Sequence, residues 1–357
     1  MTFSYHPFGT LRFLLALMVV VSHSVELGGE AMISVLRPLG LGNIAVMVFF
    51  VLSSFIIAEA VEIVYKDRIR DFLVNRGLRI FPPYFAALLA SIVVHLWLAS
   101  DAPIRFFDYE FMPEGIFSPQ NYLENTLYIF VLYGLGYLGL APDYAFVRYV
   151  WAVRVELHFY LAYAFVCWSM TCKLCGLIIR QYMLLIAFVL ISVLFILALT
   201  TKASVLNYFG FAPYFMLGVA LQRWVKHRGS DVACAIVLCI VMMVIHFVDY
   251  VSASPGNYVM GPVLLLLLLI ASILKLARLE CSPQLKALDR WLGDLSYPVY
   301  LNHYAVTIAF LTLFSDAGMA VFWGCIAASL VFSYLMALLT EPVTKSLRAK
   351  VRGFSVG

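Results

Sequence analysis

Residues 43–62 read NIAVMVFFVLSSFIIAEAVE, a run of 20 residues with only two charges, at Glu59 and Glu62. A helix of about 20 predominantly apolar residues is long enough to cross the hydrocarbon core of a bilayer. The whole chain has a matching composition, since 64% of its 357 residues are hydrophobic and 12% are charged. Soluble globular domains are roughly half apolar and a quarter charged. The sequence therefore predicts an all-α polytopic membrane protein and leaves no room for a large soluble domain.

Nine further apolar blocks of similar length lie along the chain. They are 8–28, 82–100, 148–169, 177–199, 205–222, 232–250, 257–277, 294–314 and 319–340. Segment 123–140 is an eleventh candidate, but it is only moderately apolar and contains three glycines. No small-residue cleavage pattern follows the first block, so we expect that block to be retained as a helix.

The loops between the blocks decide whether 123–140 crosses the membrane, because cytoplasmic loops collect Lys and Arg. If this segment does not cross, sixteen basic residues fall on one side and three on the other. The sixteen are Lys66, Arg68, Arg70, Arg76, Arg79, Lys173, Arg223, Lys226, Arg228, Arg278, Lys286, Arg290, Lys345, Arg348, Lys350 and Arg352. A crossing would erase this asymmetry. We therefore predict about ten transmembrane helices with both termini cytoplasmic, 101–147 external, and 123–140 interfacial or re-entrant.

Cysteine usage gives no sign of a disulfide framework or a metal site. Seven cysteines, an odd number, are scattered through apolar segments. Cys172 and Cys175 form a single CxxC, with no second pair and no His partner. A zinc site normally needs four such ligands, so no metal is expected.

Five ionisable side chains fall inside the predicted spans: Arg12, His23, Arg154, Glu156 and His303. Such groups are costly in a membrane and usually face the protein interior, where they are candidates for function. Arg12 and His23 are eleven residues apart, about three turns or ~16 Å, so both project from one helix face. Two alternatives stay open. Arg12 could extend to the cytoplasmic interface, and His23 could simply bond a neighbouring helix.

Glu156 is the hardest of the five to dismiss as structural. A carboxylate eight residues into a span needs a cationic or donor partner, or must be protonated. The surrounding residues 151–158, WAVRVELH, fit either the wall of a site or a buried ion-pair network.

Arg76 and Arg79 lie one helical turn apart, immediately before Pro82 and Pro83, which we expect to open the next span. Two guanidinium groups at this spacing suit phosphate oxygens. A phosphorylated cytosolic cofactor is therefore one candidate ligand. The simpler alternative is that this loop is basic only because it is cytoplasmic.

Taken together, these residues resemble the membrane acyltransferase 3 family. The matching segments run in the expected order and cover nearly the whole chain. They are Arg12…His23, Phe49-Phe50-x-x-Ser53-Ser54-Phe55, Arg76-x-x-Arg79-Ile80-x-Pro82, Trp151…Glu156-x-x-Phe159-Tyr160, Phe215-x-x-Gly218, Ser296-Tyr297-Pro298-x-Tyr300-Leu301-x-His303 and Glu341-Pro342. Ser54 departs from the glycine that the family usually has there, and this puts close helix packing at that point in question.

The resemblance implies an acyltransferase transmembrane domain over 1–342 and a short basic cytoplasmic tail over 343–357. Members of this family move acyl groups, most often acetyl, from cytosolic acyl-CoA to a hydroxyl of a surface or exported carbohydrate, such as exopolysaccharide or O-antigen. The expected donor substrate is acetyl-CoA, and the expected location is the bacterial inner membrane, across the lipid bilayer. No metal and no nucleic-acid partner is expected. An additional soluble hydrolase-like domain, found in some members, is not expected either.

Acyl transfer to a hydroxyl needs a base, an oxyanion stabiliser and a grip on the donor. We predict His23 as the base, because imidazole titrates near neutrality. Glu156 would orient His23 or hold its charged form, and His303 would transfer a proton or bond the acceptor. Arg12 would meet the phosphate or carbonyl end of the donor. Arg76 and Arg79 would bind the phosphates of the cofactor.

Two other functions remain open at this stage. A transporter or flippase for a glycan or lipid-linked sugar would also place charge in the membrane, although transporters are often built from repeated halves. No counterpart of Arg12…His23 is evident in the second half of the chain. A transferase that uses a prenyl-linked sugar is the other alternative. Dependence on CoA separates the acyltransferase from both.

Overall fold

The computed structural model describes residues 5–99, 104–106, 109–111, 113–131, 141–171, 177–201, 207–252, 259–314, 316 and 318–353. This part of the chain is almost entirely helical. Its α-helices are α1 Gly9–His23, α2 Glu30–Leu36, α3 Leu41–Ile63, α4 Ile69–Leu98, α5 Pro113–Ile116, α6 Pro119–Tyr128, α7 Trp151–Thr171, α8 Leu177–Thr201, α9 Ala212–Lys226, α10 Ser230–Ser252, α11 Met260–Leu276, α12 Pro283–Leu313 and α13 Met319–Arg352. Short 3₁₀ turns lie at Val25–Gly28, Arg37–Leu39, Arg148–Val150 and Asn207–Phe211.

A small antiparallel hairpin is the only β-structure among the described residues. Strands β1 Ile104–Phe106 and β2 Tyr109–Phe111 pair with Ile104 opposite Phe111. The sequence did not predict this hairpin. It lies within the 101–147 segment that we expect to be external.

Each of the ten apolar blocks overlaps a helix, so the helical class predicted from the sequence is confirmed. Five stretches of the described chain are long and apolar enough to cross a membrane. They are Glu30–Ile63, Ile69–Leu98, Arg148–Ser169, Ser230–Ser252 and Met319–Arg352. Three shorter apolar helical stretches are Gly9–His23, Val189–Thr201 and Met260–Leu276. The structure thus supports a multi-pass membrane protein, while the count of ten crossings and the cytoplasmic termini stay predictions.

Helix α1 lies between α12 and α3 and packs against both. Gly9 at its start contacts Asp289 near the start of α12, and His23 at its end contacts His303 further along α12. These two helices therefore run in the same direction. Gly42, at the start of α3, lies beside the end of α1, so α3 runs in the opposite direction.

Helices α4 and α7 run antiparallel, which bears on the segment between them. Arg76, early in α4, lies over the ring of Tyr160 in α7. Ser91, late in α4, donates to the carbonyl of Phe146, just ahead of α7. The intervening chain therefore starts and ends at the same end of the bundle, as a non-crossing 123–140 requires. Residues 132–140 of that segment lie outside the described residues.

One prediction about α4 was wrong. We expected Pro82 and Pro83 to open a span, with Arg76 and Arg79 one helical turn apart in the basic segment before it. Instead α4 runs without a break from Ile69 through both prolines. Proline removes one backbone hydrogen bond from a helix interior, a cost that tertiary packing can offset. As a result, both arginines lie on the same continuous helix as the predicted span.

Gly218 of α9 explains how Ser54 fits where a glycine was expected. Ser54 is fully buried in α3, and its hydroxyl donates back to the carbonyls of Phe50 and Val51. A Cβ at position 218 would lie 2.0 Å from Ser54 Oγ and 2.1 Å from the carbonyl oxygen of Val51. Close approach of two membrane helices usually relies on a small residue at the contact. Here α9 supplies that residue.

Asp289 fastens the start of α1 to α12. Its carboxylate accepts hydrogen bonds from the backbone amides of Gly9 and Thr10, at 3.0 and 2.7 Å. The hydroxyls of Thr10 and Tyr5 donate to the same carboxylate, at 2.8 and 2.6 Å. The first amides of a helix have no partner within the helix. Asp289 therefore acts as an N-cap supplied by another helix.

Candidate functional site

A cavity of about 780 Å³, including its open mouth, is lined by residues of α1, α3, α4, α7 and α12. Its polar lining consists of Arg12, Ser53, Arg76, Arg79, Glu156, Tyr160, Ser296, Tyr297 and Tyr300. The remaining lining residues are apolar. We call this space the arginine cavity.

The three arginines of the cavity are poorly paired. The Nε atoms of Arg12 and Arg76 are buried, and in the described part of the chain neither has a hydrogen-bond partner. Arg76 is 7% exposed, and its guanidinium lies 5.6 and 5.5 Å from the ring centres of Phe72 and Tyr160. Burying a charge without a partner is costly. Guanidinium groups held in this way are suited to bind an anionic ligand.

Glu156 lies in the wall of the arginine cavity. One of its carboxylate oxygens accepts hydrogen bonds from Ser53 and Tyr160, whose hydroxyls are themselves 2.9 Å apart. We had expected Glu156 to orient His23. Among the contacts of the described residues, its partners are instead Ser53 and Tyr160, and the partner of His23 is His303.

The histidine pair consists of His23 of α1 and His303 of α12. It lies beyond the arginine cavity, on the same face of α1. His23 Nδ1 and His303 Nε2 are 2.9 Å apart. His303 Nδ1 is 2.7 Å from the carbonyl oxygen of Tyr300. A carbonyl only accepts, so Nδ1 of His303 carries a proton, and Nε2 of neutral His303 must accept. His23 therefore donates through Nδ1, which leaves the lone pair of its Nε2 free to act as a base.

Tyr149 is a site residue that the sequence did not reveal. Its ring stacks on His23, with centroids 3.5 Å apart and planes 5° apart, and lies 5.2 Å from the ring of His303. Its carbonyl accepts a hydrogen bond of 2.6 Å from the hydroxyl of Tyr300. One tyrosine among 21 carries no distinguishing signal. Only the fold brings it against the histidine pair.

Tyr300 connects the two parts of the site. It lines the arginine cavity, and its ring centre is 6.1 Å from that of His303. Of the described residues that line the cavity, none is a histidine. The arginine cavity and the histidine pair are therefore neighbouring but distinct environments along α1.

A buried polar network holds the segment ahead of α7 against the bundle. His95 Nε2 lies 2.8 Å from the hydroxyl of Tyr144, which in turn lies 3.1 Å from that of Tyr304. The side chain of Asn125 donates to the carbonyl of Tyr144. Since Tyr304 also packs edge-on against Tyr149, this network helps to fix the ring that covers the histidine pair.

Arg154 does not line the arginine cavity and instead connects two helices. Its guanidinium donates through Nε and Nη2 to the carbonyl of Val131, at 2.9 and 2.6 Å. It also lies 3.9 Å from the ring centre of Tyr128. Arg154 thus ties the end of α6 to α7.

Comparison with known protein families shows which family the chain belongs to. The sequence profile of the acyltransferase 3 family, described as an acyltransferase domain, matches residues 8–338. The chain belongs to the acyltransferase 3 family. In this acyltransferase 3 protein, the segments that carried the resemblance contribute both the arginine cavity and the histidine pair.

Two curated relatives are similar to this acyltransferase 3 protein. An O-acetyl transferase of Shigella phage Sf6 is 29% identical over 111 residues, covering 31% of this chain and 33% of the relative. A protein of Bacillus subtilis (strain 168), provisionally named peptidoglycan O-acetyltransferase YrhL, is 26% identical over 354 residues, covering 88% of this chain and 52% of the relative. The chain thus spans between a third and about half of their lengths. No solved structure matches it significantly.

The described residues contain no group of three or more His, Cys, Asp and Glu side chains placed to hold a metal ion. Glu156 and the two histidines belong to separate clusters, as their contacts above show. The groups available for chemistry in the described site are guanidinium, imidazole, carboxylate and hydroxyl.

Proposed function

We propose that this protein moves an acyl group, in the simplest case acetyl, from cytosolic acyl-CoA to a hydroxyl of a surface or exported carbohydrate. One observation carries the proposal. Arginines with unpartnered, buried N–H groups line a cavity at one end of α1, and a histidine with a free ring nitrogen lies at the other end. A phosphorylated acyl donor and a hydroxyl acceptor need these two environments.

The donor would be held by its phosphates at Arg76 and Arg79, with Arg12 further into the cavity. Charge-assisted hydrogen bonds from guanidinium to phosphate are short and strong. Along α1, Arg12 and His23 are separated by about three turns, or ~16 Å. An extended donor arm lying in the apolar part of the cavity would carry the thioester towards the histidine pair. Glu156 would keep the hydroxyls of Ser53 and Tyr160 in place beside it.

In the reaction, Nε2 of His23 would take the proton of the acceptor hydroxyl as its oxygen attacks the thioester carbonyl carbon. The carbon–sulfur bond would then break, and the CoA thiolate would leave and take up that proton from His23, which restores the base. His303 would keep His23 in the required tautomer by accepting from its Nδ1. Tyr149 would hold the plane of the His23 ring.

The proposed acceptor and location are those usual for members of the family. The names of the two relatives support O-acetylation, and one of them points to peptidoglycan as an acceptor class. We propose a surface or exported glycan, such as exopolysaccharide, O-antigen or peptidoglycan, and the bacterial inner membrane. The topology that fits is ten crossings with both termini cytoplasmic, a transmembrane domain over 1–342, and a basic tail over 343–357. Helix α13 extends into this tail, as far as Arg352.

Acyl transfer can be tested directly with detergent-purified protein, isotope-labelled acetyl-CoA and a panel of surface glycans. The proposal expects saturable binding of acetyl-CoA and transfer of label to a glycan, with release of free CoA. Glycan movement across vesicles without any need for CoA would instead support a transporter. Absence of acetyl-CoA binding in well-folded protein would contradict the proposed donor.

A further inference from the structure

A second cavity of about 420 Å³ lies beside the arginine cavity and shares two of its walls, Arg79 and Tyr297. The rest of its lining comes from α4, α12 and α13 and includes Asp294, Lys345 and Arg348. We call it the side chamber. The shared residues make the two spaces neighbours, with Arg79 standing between them.

Arg348 is a residue of the side chamber with no carboxylate partner among the described residues. Its Nε donates 3.0 Å to the side-chain oxygen of Asn75, a buried residue that also donates to the hydroxyl of Tyr65. This is the one hydrogen bond that Arg348 makes with the described residues. The stem of the guanidinium is therefore fixed, while its terminal nitrogens stay available to a ligand.

Lys345 behaves differently in the same chamber. Its amine lies 2.7 Å from carboxylate oxygens of both Asp294 and Glu341, so its charge is already matched. Arg79, by contrast, makes neither an ion pair nor a hydrogen bond with the described residues. The cations of the chamber that a ligand can engage are thus Arg79 and Arg348.

The surroundings of Arg348 are also unfavourable to its own charge. The positive charges of Arg79, Arg352 and Arg76 act on the guanidinium of Arg348, and Asp294 opposes them. A crowd of like charges costs free energy unless an anion compensates it. Together with the geometry of the chamber, this crowding of positive charge supports an anion site there.

We infer that the side chamber binds the 3′-phosphorylated adenosine end of acyl-CoA, with Arg348 contacting the 3′-phosphate. This inference rests on the proposed function. The diphosphate of the donor would then lie near Arg76 and Arg79, where the two cavities adjoin, and the acyl arm would enter the arginine cavity. The planar fork of an arginine matches a phosphate monoester in two hydrogen bonds.

The inference can be tested by measuring the affinity of the purified protein for two donors, acetyl-CoA and acetyl-3′-dephospho-CoA. The measurement is made on wild type, Arg348→Ala and Lys350→Ala. Lys350 is an exposed residue on the same helix that lines neither cavity, so it controls for a general loss of charge. Wild type should bind the dephosphorylated donor about tenfold more weakly, the scale of one hydrogen bond to a charged group. Arg348→Ala should weaken acetyl-CoA binding by a similar factor and leave binding of the dephosphorylated donor unchanged. Lys350→Ala should match wild type.

Two outcomes would overturn the inference while leaving the proposed function intact. One is equal affinity of wild type for both donors, which needs no variant and so holds even if Arg348→Ala fails to fold. The other is an equal loss of affinity for both donors in Arg348→Ala. A wild-type protein that binds neither donor would instead contradict the proposed function itself.

Discussion

The arginine cavity and the histidine pair lie on the same face of α1 but satisfy their polar groups in opposite ways. In the cavity, the buried Nε atoms of Arg12 and Arg76 have no hydrogen-bond partner in the described part of the chain. In the pair, both ring nitrogens of His303 are bonded, and His23 is stacked on Tyr149. Unmatched cations suit ligand binding, whereas a pre-bonded imidazole suits proton transfer. In the proposed mechanism, this contrast separates the end of α1 that binds the donor from the end that takes part in the reaction.

The sharpest test of this contrast is His23→Ala, for which we expect the largest effect. Transfer of labelled acetyl groups should fall by about 100-fold or more, because a positioned general base contributes roughly 10²–10⁴ in rate. Affinity for acetyl-CoA, measured by calorimetry on the same preparation, should stay close to wild type. Near-normal transfer by the variant would remove His23 from the mechanism.

Arg76→Ala should show the converse pattern. Affinity for acetyl-CoA should fall by about 10–100-fold, since a hydrogen bond to a charged group contributes about 1.5–3 kcal/mol. The matched control is Arg70→Ala, an exposed arginine in the first turn of the same helix. Equal affinities for the two variants would mean that the basic residues of α4 serve topology alone.

His303 offers a smaller and more selective test of the pair. His303→Phe removes the acceptor for the Nδ1 proton of His23, while His303→Gln keeps an oxygen that can accept it. We expect the Phe variant to lose about tenfold in turnover, equivalent to about 1.4 kcal/mol. The Gln variant should retain most of the activity, and both should bind acetyl-CoA normally. If the two variants lose turnover equally, His303 acts through packing and not through the tautomer of His23.

One part of this site could be predicted from the sequence, because that part depends on the geometry of one helix alone. The spacing of Arg12 and His23 fixes their relative direction on α1 and their separation along it. Their contacts with Gly293 and His303 place both against α12. The apolar blocks likewise located the helices, since each block must be buried in lipid or protein.

The rest depends on how separate helices are rotated against each other, which packing decides. Glu156 bonds Ser53 instead of His23, and Tyr149 stacks on His23 of the first helix. Arg348 was visible in the sequence only as one of many basic residues in the tail. Its place beside Arg79 follows from the antiparallel contact of α13 with α4.

The last test concerns Asp289, which holds the start of α1 against α12 at the cavity end. Here we expect the smallest effect. Burial acts to raise the pKa of Asp289, but hydrogen bonds from Tyr5, Thr10 and Gly9 outweigh it, so the pKa lies below the ordinary 3.8. A carboxylate with a depressed pKa contributes full stability above its ordinary pKa and loses that contribution as the pH falls through the folded-state value. Asp289→Asn should therefore cost about 1 kcal/mol near neutral pH, the usual scale of an N-cap.

Thermal unfolding of the purified protein over a range of pH measures this directly. The deficit of Asp289→Asn should shrink as the pH falls below the ordinary carboxylate range, because wild type then also loses the charge. The exposed Glu280→Gln, placed between α11 and α12, provides a matched change of charge and should leave unfolding unaltered. A deficit that persists unchanged into acid would mean that the shape of the side chain, and not its charge, holds α1 against α12. In that case the cavity end, like the histidine pair, would depend on neutral hydrogen bonds for its geometry.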